Sequence, residues 1–199
     1  SPNNPTANQF SRSEIEYLAE KFDGLIAVDE AYIDFSGGSI VDLVEEFDNL
    51  MVFRTFSKVF GLAGLRIGCA IANSELAEVM NEKFQMPYSV SLIAVKAANK
   101  ILERLEVINE SIRRLQEERE RLIERLNRIE GIHAFDSKTN FVLFQVNVPS
   151  KAVYSKLLER GIIIRDIGEV LNYRNCLRVT VAPSPMIDRF LEALKETIE

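Results

Sequence analysis

Apolar residues change their spacing several times along the chain, and each change predicts an element. Ile15, Leu18, Ala19 and Phe22 recur at helical spacing behind Ser11 and Ser13, either of which can cap a helix there. Leu25–Val28 is a continuous apolar run, as expected of a strand buried on both faces of a parallel sheet. A helix is expected near Ile40–Phe47, a second buried strand at Leu50–Phe53, a loop over Thr55–Gly64 and a third strand at Arg66–Ala72. Two further helices are expected at Ser74–Phe84 and Ser89–Glu103, on either side of Pro87. Leu105, Ile108, Ile112, Leu115, Leu122, Leu126 and Ile129 then define one long amphipathic helix, interrupted by Arg119. Its arginines (Arg113, Arg114, Arg119, Arg121, Arg125 and Arg128) alternate with glutamates and read as a solvated face. A coiled coil is the alternative reading of this run, but the run is short and an arginine breaks it.

Gly131 ends that pattern. Strands are expected at Phe141–Val146, Ile162–Arg165 and Leu177–Val181, with helices at Ser150–Arg160 and Met186–Ile198. The fold class is therefore α/β: helices and strands alternate in the first part, and a small α+β domain follows, with a boundary placed near residue 104.

Composition narrows the function. With 199 residues, 47% apolar and 27% charged, the chain is of globular type, and no apolar run approaches a membrane span. A net charge of −6 gives no overall field that would draw in nucleic acid or an anionic membrane. The single histidine, His133, leaves no room for a histidine-based triad or a multi-histidine metal site and reads as a surface residue. Cys69 and Cys176 fit no zinc or redox spacing and read as buried free thiols in a reducing compartment.

The chemistry gathers where strands should end, which is where open α/β sheets bind ligands. Asp29 and Tyr32 lie at one such end, and Thr55, Ser57 and Lys58 at the next. A lysine amine can condense with an aldehyde, and a carboxylate can keep a pyridine nitrogen protonated. Two hydroxyls and Arg66 can hold a phosphate dianion. Taken singly, each of these residues is more often plain solvated surface, and an Asp–Lys pair can be no more than a surface salt bridge.

Seven segments carry a resemblance that shifts this balance: SPNNPT (Ser1–Thr6), VDEAYIDFSG (Val28–Gly37), RTFSKVFGLAGLRIG (Arg54–Gly68), MPYSVS (Met86–Ser91), TNFVLF (Thr139–Phe144), IIIRD (Ile162–Asp166) and CLRVTV (Cys176–Val181). In this order the chain resembles the fold-type I aminotransferases that depend on pyridoxal 5'-phosphate, and within them the histidinol-phosphate aminotransferase group. The resemblance implies a large, mainly parallel-sheet domain, of which residues 1–104 would be the C-terminal part, and a small domain over residues 105–199 behind a linking helix. It implies that Lys58 binds the cofactor and shuttles the proton, that Asp29 pairs with the pyridinium nitrogen, and that Asn4 and Tyr32 bond the ring's phenolic oxygen. Thr55, Ser57 and Arg66 would hold the cofactor phosphate; Arg165 and Arg178, with Asn140 nearby, would hold the substrate's anionic end. Glu30, Asp34 and Tyr88 divide evenly between site and scaffold.

The implied substrates are small molecules, an amino donor and a 2-oxo acid acceptor, in a cytoplasmic enzyme that is a homodimer at full length. A threonine-phosphate decarboxylase, a broad aromatic or aliphatic aminotransferase, and a non-catalytic assembly module remain alternatives. The chain is expected to lack the family's N-terminal half and so to be incapable of full transamination alone, its cofactor site open on one side. Ala7 stands where the family usually has glycine, which predicts a different turn. Ala182–Pro185 replaces a glycine and acidic residues, with Ser184 expected as helix cap and Pro185 as first helical residue.

Overall fold

The computed structural model describes residues 1–198 and divides the chain into two compact units. Residues 1–2 and 9–110 form the first, and residues 3–8 with the chain from Ser111 onward form the second.

The first unit opens with α1 (Arg12–Lys21). Ser11 caps it in a reciprocal box: its hydroxyl accepts the Glu14 N–H, and the Glu14 carboxylate accepts the Ser11 N–H at 2.7 Å. Three strands follow, β1 (Ile26–Asp29), β2 (Leu50–Thr55) and β3 (Gly68–Ala72), in the order β1-β2-β3. β1 and β2 run parallel with Asp29 opposite Phe53, whereas β3 runs antiparallel with Gly68 opposite Thr55. The three strands this chain contributes thus form a mixed sheet, one pair parallel and one antiparallel. Then come α2 (Ser74–Val79), continued as a π turn to Phe84, and α3 (Leu92–Leu102). The core is Ile15, Val28, Ile40, Leu43, Val44, Leu50 and Val52.

The buried reading of the first strand fails here. Leu25 and Ala27 are exposed rather than buried on both faces, and so are Leu18 and Phe22 of the α1 pattern. Among the described residues β1 is an edge strand paired with β2 alone, and the face that carries Leu25 and Ala27 has nothing packed on it. Cys69, on edge strand β3, is likewise exposed, while Cys176 is buried as expected; both thiols are free. Ile40–Phe47 keeps its helical period but is wound as a 3-10 turn over Val41–Glu45.

α4 (Leu105–Asn127) belongs to the first unit up to Glu110 and to the second from Ser111. The second unit has β4 (Ile132–Ala134), β5 (Phe141–Val146), α5 (Ser150–Glu159), β6 (Arg165–Val170), β7 (Tyr173–Thr180) and α6 (Ser184–Ile198). Its antiparallel sheet has the order β4-β5-β7-β6. Leu122 and Leu126 of α4, Leu157 of α5 and Phe190 and Leu194 of α6 pack on Val142, Phe144 and Leu177 of the sheet. Arg121 and Arg125 both pair with Asp188, tying α4 to α6.

Arg119 overturns its solvated reading: it is 6% exposed, and its Nη1 donates to the Thr139 carbonyl at 2.9 Å. Ser184 is itself helical, its hydroxyl donating to Glu118, so the cap falls one residue earlier than expected. Ala7 takes φ 60°, the left-handed conformation glycine favours, so the turn keeps a glycine-type backbone despite the methyl group. Among the described residues no helix is long and apolar enough to cross a membrane.

Candidate active site

Because β1 and β2 are parallel neighbours, their carboxyl ends lie side by side and present two loops at one edge of the first unit. Asp29 closes β1, and its Oδ1 accepts the Ala31 N–H at 2.9 Å, which fixes the carboxylate. Tyr32 follows in the same turn. From β2, the Thr55 hydroxyl accepts the Ser57 N–H at 3.1 Å and starts the loop that carries Lys58. The loop is closed by its own backbone: Phe56 N–H bonds the Ile67 carbonyl, Leu62 N–H the Phe56 carbonyl, and Gly61 N–H, at φ 69°, the Lys58 carbonyl. The Lys58 amine comes to rest 4.9 Å from the centre of the Tyr32 ring. A cation over an aromatic face is favourable, though weakly so where water reaches it.

Arg66 ends this loop with φ 51°, its Nη1 donating to the Ala63 carbonyl at 3.1 Å. A non-glycine residue held in the left-handed region costs about 1–3 kcal/mol, and such strain clusters at functional sites. Gly68 comes next but one, and a Cβ there would stand 2.6 Å from the Arg54 carbonyl oxygen. Only glycine lets β3 approach β2 at that point.

The second unit gathers the other group. Arg165 and Arg178 face each other directly across β6 and β7, a like-charged pair that is unfavourable alone. They line a cavity of about 560 Å³ with Tyr154, Ile163, Asp166 and Thr180. Arg178 lies over the Phe141 ring at 4.7 Å and donates from Nη1 to the Asn4 side-chain oxygen. Its Nε is buried without a hydrogen-bond partner. A buried donor without an acceptor beside a second guanidinium is a place for an anion. Asn140 is half-buried at the entry to β5, its carbonyl accepting the Val181 N–H at 2.9 Å.

The predicted site residues thus fall into two sets. Asp29, Tyr32, Thr55, Ser57, Lys58 and Arg66 lie in the first unit, where Lys58 meets Tyr32 and Thr55 meets Ser57; Asn4, Asn140, Arg165 and Arg178 belong to the second. Asn4, expected with the cofactor ring, is bonded to Arg178. Three residues outside the predicted site set prove to be built into the supports, with Glu30 falling on the scaffold side of its two readings. Glu30 is buried, Arg54 pairs with it, and Arg119 braces the segment that carries Asn140. The signal for the last two was a charge inside an otherwise apolar strand or helix stripe. His133 is exposed and meets the Phe135 ring edge-on, and Tyr88 is fully exposed.

A carboxylate, a phenol, an amine and a hydroxyl–guanidinium set at one sheet edge are the donors an aromatic aldehyde phosphate requires, so the residues present fit that group. The family profile of aminotransferase class I and II matches residues 1–194, and the chain belongs to that family. Within it, the chain is 42% identical over 197 residues to the histidinol-phosphate aminotransferase of Thermoanaerobacter sp. (strain X514), covering 99% of this chain and 55% of the relative. Among solved structures it resembles the histidinol-phosphate aminotransferase of Sinorhizobium meliloti in complex with pyridoxal-5'-phosphate (TM-score 0.90, 27% identity, 100% of this chain and 56% of that one). It also resembles the L-threonine-O-3-phosphate decarboxylase of Porphyromonas gingivalis (TM-score 0.87, 27% identity, 98% of this chain and 62% of that one). The chain spans about half the length of the curated relatives it matches.

Proposed function

We propose that this chain carries the cofactor lysine and the substrate arginines of a pyridoxal-phosphate-dependent aminotransferase acting on histidinol phosphate with 2-oxoglutarate. The observation that carries the reading is the Lys58 amine lying over the ring of Tyr32, three residues beyond Asp29. When bound, pyridoxal phosphate supplies an electron sink for charge developing at the substrate's α-carbon. The chain's own residues do the rest. Lys58 Nζ would hold the cofactor, and its free amine would act as general base and acid, taking the proton from the substrate's α-carbon and giving it to the cofactor carbon. Asp29, oriented by the Ala31 N–H, accepts a charge-assisted hydrogen bond from the ring nitrogen and keeps it protonated. Tyr32 tunes the ring's phenolic oxygen, and Thr55, Ser57 and Arg66 hold the phosphate. Arg165 and Arg178 take the substrate's anionic end, which relieves their mutual repulsion and gives the Arg178 Nε an acceptor. Residues 1–104 serve as the C-terminal part of the cofactor domain and residues 105–199 as the linking helix and small domain. A homodimer and a cytoplasmic location follow from the resemblance alone.

The test is borohydride reduction of the chain with pyridoxal phosphate, followed by peptide mapping. The pyridoxyl group is expected on Lys58, with Lys58→Ala losing it; even labelling over the exposed lysines would sink the reading. A second reading, decarboxylation of threonine phosphate, is supported by the likeness to the Porphyromonas structure. Release of CO₂ from threonine phosphate, against glutamate formation with histidinol phosphate, separates the two.

A further inference from the structure

The turn that carries Asp29 and Tyr32 is held from behind by the residue between them. Glu30 is 1% exposed, and a carboxylate buried so deeply is costly unless it is paired and hydrogen-bonded. Its Oε1 accepts the Ile40 N–H at 2.8 Å and its Oε2 the Ser39 hydroxyl at 2.7 Å. Arg54 Nε lies 2.9 Å from the same Oε2, an ion-pair contact whose angle falls outside hydrogen-bond geometry. The Arg54 Nη1 reaches on to Asp34 Oδ1 at 3.3 Å. The Glu30 backbone is engaged as well: its N–H bonds the Phe53 carbonyl at 2.9 Å, and its carbonyl accepts the Ile33 N–H at 3.1 Å. One residue therefore fastens the Asp29–Tyr32 turn both to the end of β2 and to the 39–40 segment.

Stability alone is a poor reason for this arrangement, since a buried ion pair is often no better than well-packed apolar residues. Placement is a better one. Lys58 is exposed, and its contact with Tyr32 is worth less than the rotamer freedom a long side chain gives up. The contact cannot fix itself, so the two loops must be fixed by something beneath them. Arg54 immediately precedes Thr55, where the Lys58 loop begins, and Glu30 immediately follows Asp29. The Glu30–Arg54 pair is thus a side-chain link between the roots of both loops.

We propose that Glu30, acting through Arg54 and Ser39, is a positioning residue that holds the Tyr32 ring against the Lys58 amine. Its catalytic meaning rests on Lys58 being the cofactor lysine; the geometric claim does not. The test uses the 199-residue chain with carbon-13-labelled lysine. The Lys58 ε-methylene protons, assigned by Lys58→Arg, should be displaced upfield by the Tyr32 ring, and Tyr32→Leu should remove the displacement. Glu30→Gln, which keeps shape and an acceptor but loses the ion pair, should lose most of it while far-ultraviolet circular dichroism stays that of a folded chain. Ser39→Ala, which removes one partner only, should lose part of it and decides the matter if Glu30→Gln does not fold. Both variants should also fix pyridoxal phosphate on Lys58 severalfold more slowly under borohydride. A folded variant that keeps the full displacement overturns the proposal and leaves Glu30 a purely structural residue. Absence of fixation at Lys58 in the unsubstituted chain overturns the cofactor reading instead, and is read separately from the displacement.

Discussion

Arg119 offers a case in which pattern and structure predict opposite signs. In the apolar stripe of α4, Arg119 interrupts the sequence between Leu115 and Leu122, so Arg119→Leu would complete the stripe. Burying a leucine is worth about 1.5–3 kcal/mol, and on pattern alone the substitution should stabilise. The structure adds the opposing terms. The guanidinium donates to the Thr139 carbonyl at 2.9 Å within a buried polar segment, where the Ser137 hydroxyl bonds the Phe141 carbonyl at 2.6 Å. Losing a hydrogen bond from a charged donor costs about 1.5–3 kcal/mol, and a stranded buried carbonyl costs about 1–3 kcal/mol more. Burial pushes the Arg119 pKa down, so its charge is itself a burden, and removing it offsets part of the loss along with the new apolar contact. The net expectation is destabilisation by about 2 kcal/mol. With a urea dependence of about 1–3 kcal/mol per molar, the unfolding midpoint should fall by about 1 M. Hydrogen exchange at the Val181 amide, which bonds the Asn140 carbonyl, should quicken, because the segment Arg119 braces is the one it reads. Arg128→Leu on the exposed face is the control and should stay within about 0.5 kcal/mol. An Arg119→Leu midpoint equal to or above that of the unsubstituted chain would refute the reasoning.

Gly68→Ala places a Cβ 2.6 Å from the Arg54 carbonyl and should cost about 1–3 kcal/mol in urea unfolding as β3 is pushed from β2; an unchanged midpoint would mean that the strands part freely. Asp188 is held below the ordinary carboxylate range, first by the hydrogen bond from Arg125 and, against some desolvation, by that from Arg121. A depressed folded pKa adds stability that is present above the unfolded value, near pH ~3.9, and is lost as pH falls through the folded one. The advantage of the unsubstituted chain over Asp188→Asn should therefore hold at neutral pH and vanish in acid, as urea midpoints across that range would show; an advantage that persists in acid would rule out the ion pairs as its source. Asp34 runs the other way: burial raises its pKa, against the opposing charge of Arg54, so its protonated form favours the fold in acid and that contribution fades as pH rises. Asp34→Asn should flatten that part of the pH dependence, and a profile left unchanged by the substitution would discount it.

What the sequence disclosed, and what it did not, follows from the range of the interactions involved. The Ser11–Glu14 box and the Phe141–Val146 strand were legible because they are written within a few adjacent residues. β6 was misplaced because the apolar run Ile162–Ile164 reports burial, while pairing begins only at Arg165, where a partner residue stands opposite on β7. β4, with three residues, is too short to show a period. Exposure in the first unit was misjudged at Leu25, because an apolar pattern states a demand for cover and cannot state whether cover is present. The candidate site residues stand out for the same reason that the β1 and β5 strands do: Asp29 with Tyr32, and Thr55 with Ser57 and Lys58, are local groups at strand ends.

Their supports were not legible, since Glu30 meets Arg54 only through the parallel pairing of β1 with β2, and Arg119 meets Thr139 only once α4 has packed on its sheet. This asymmetry has a physical cause. A group that meets a ligand must reach solvent, so a short loop suffices to present it, whereas a group that fixes that loop must be buried and needs the rest of the fold to bury it. Charged residues inside otherwise apolar periods, such as Arg54 and Arg119, are therefore where a sequence should be searched for the supports of a candidate site that its motifs suggest.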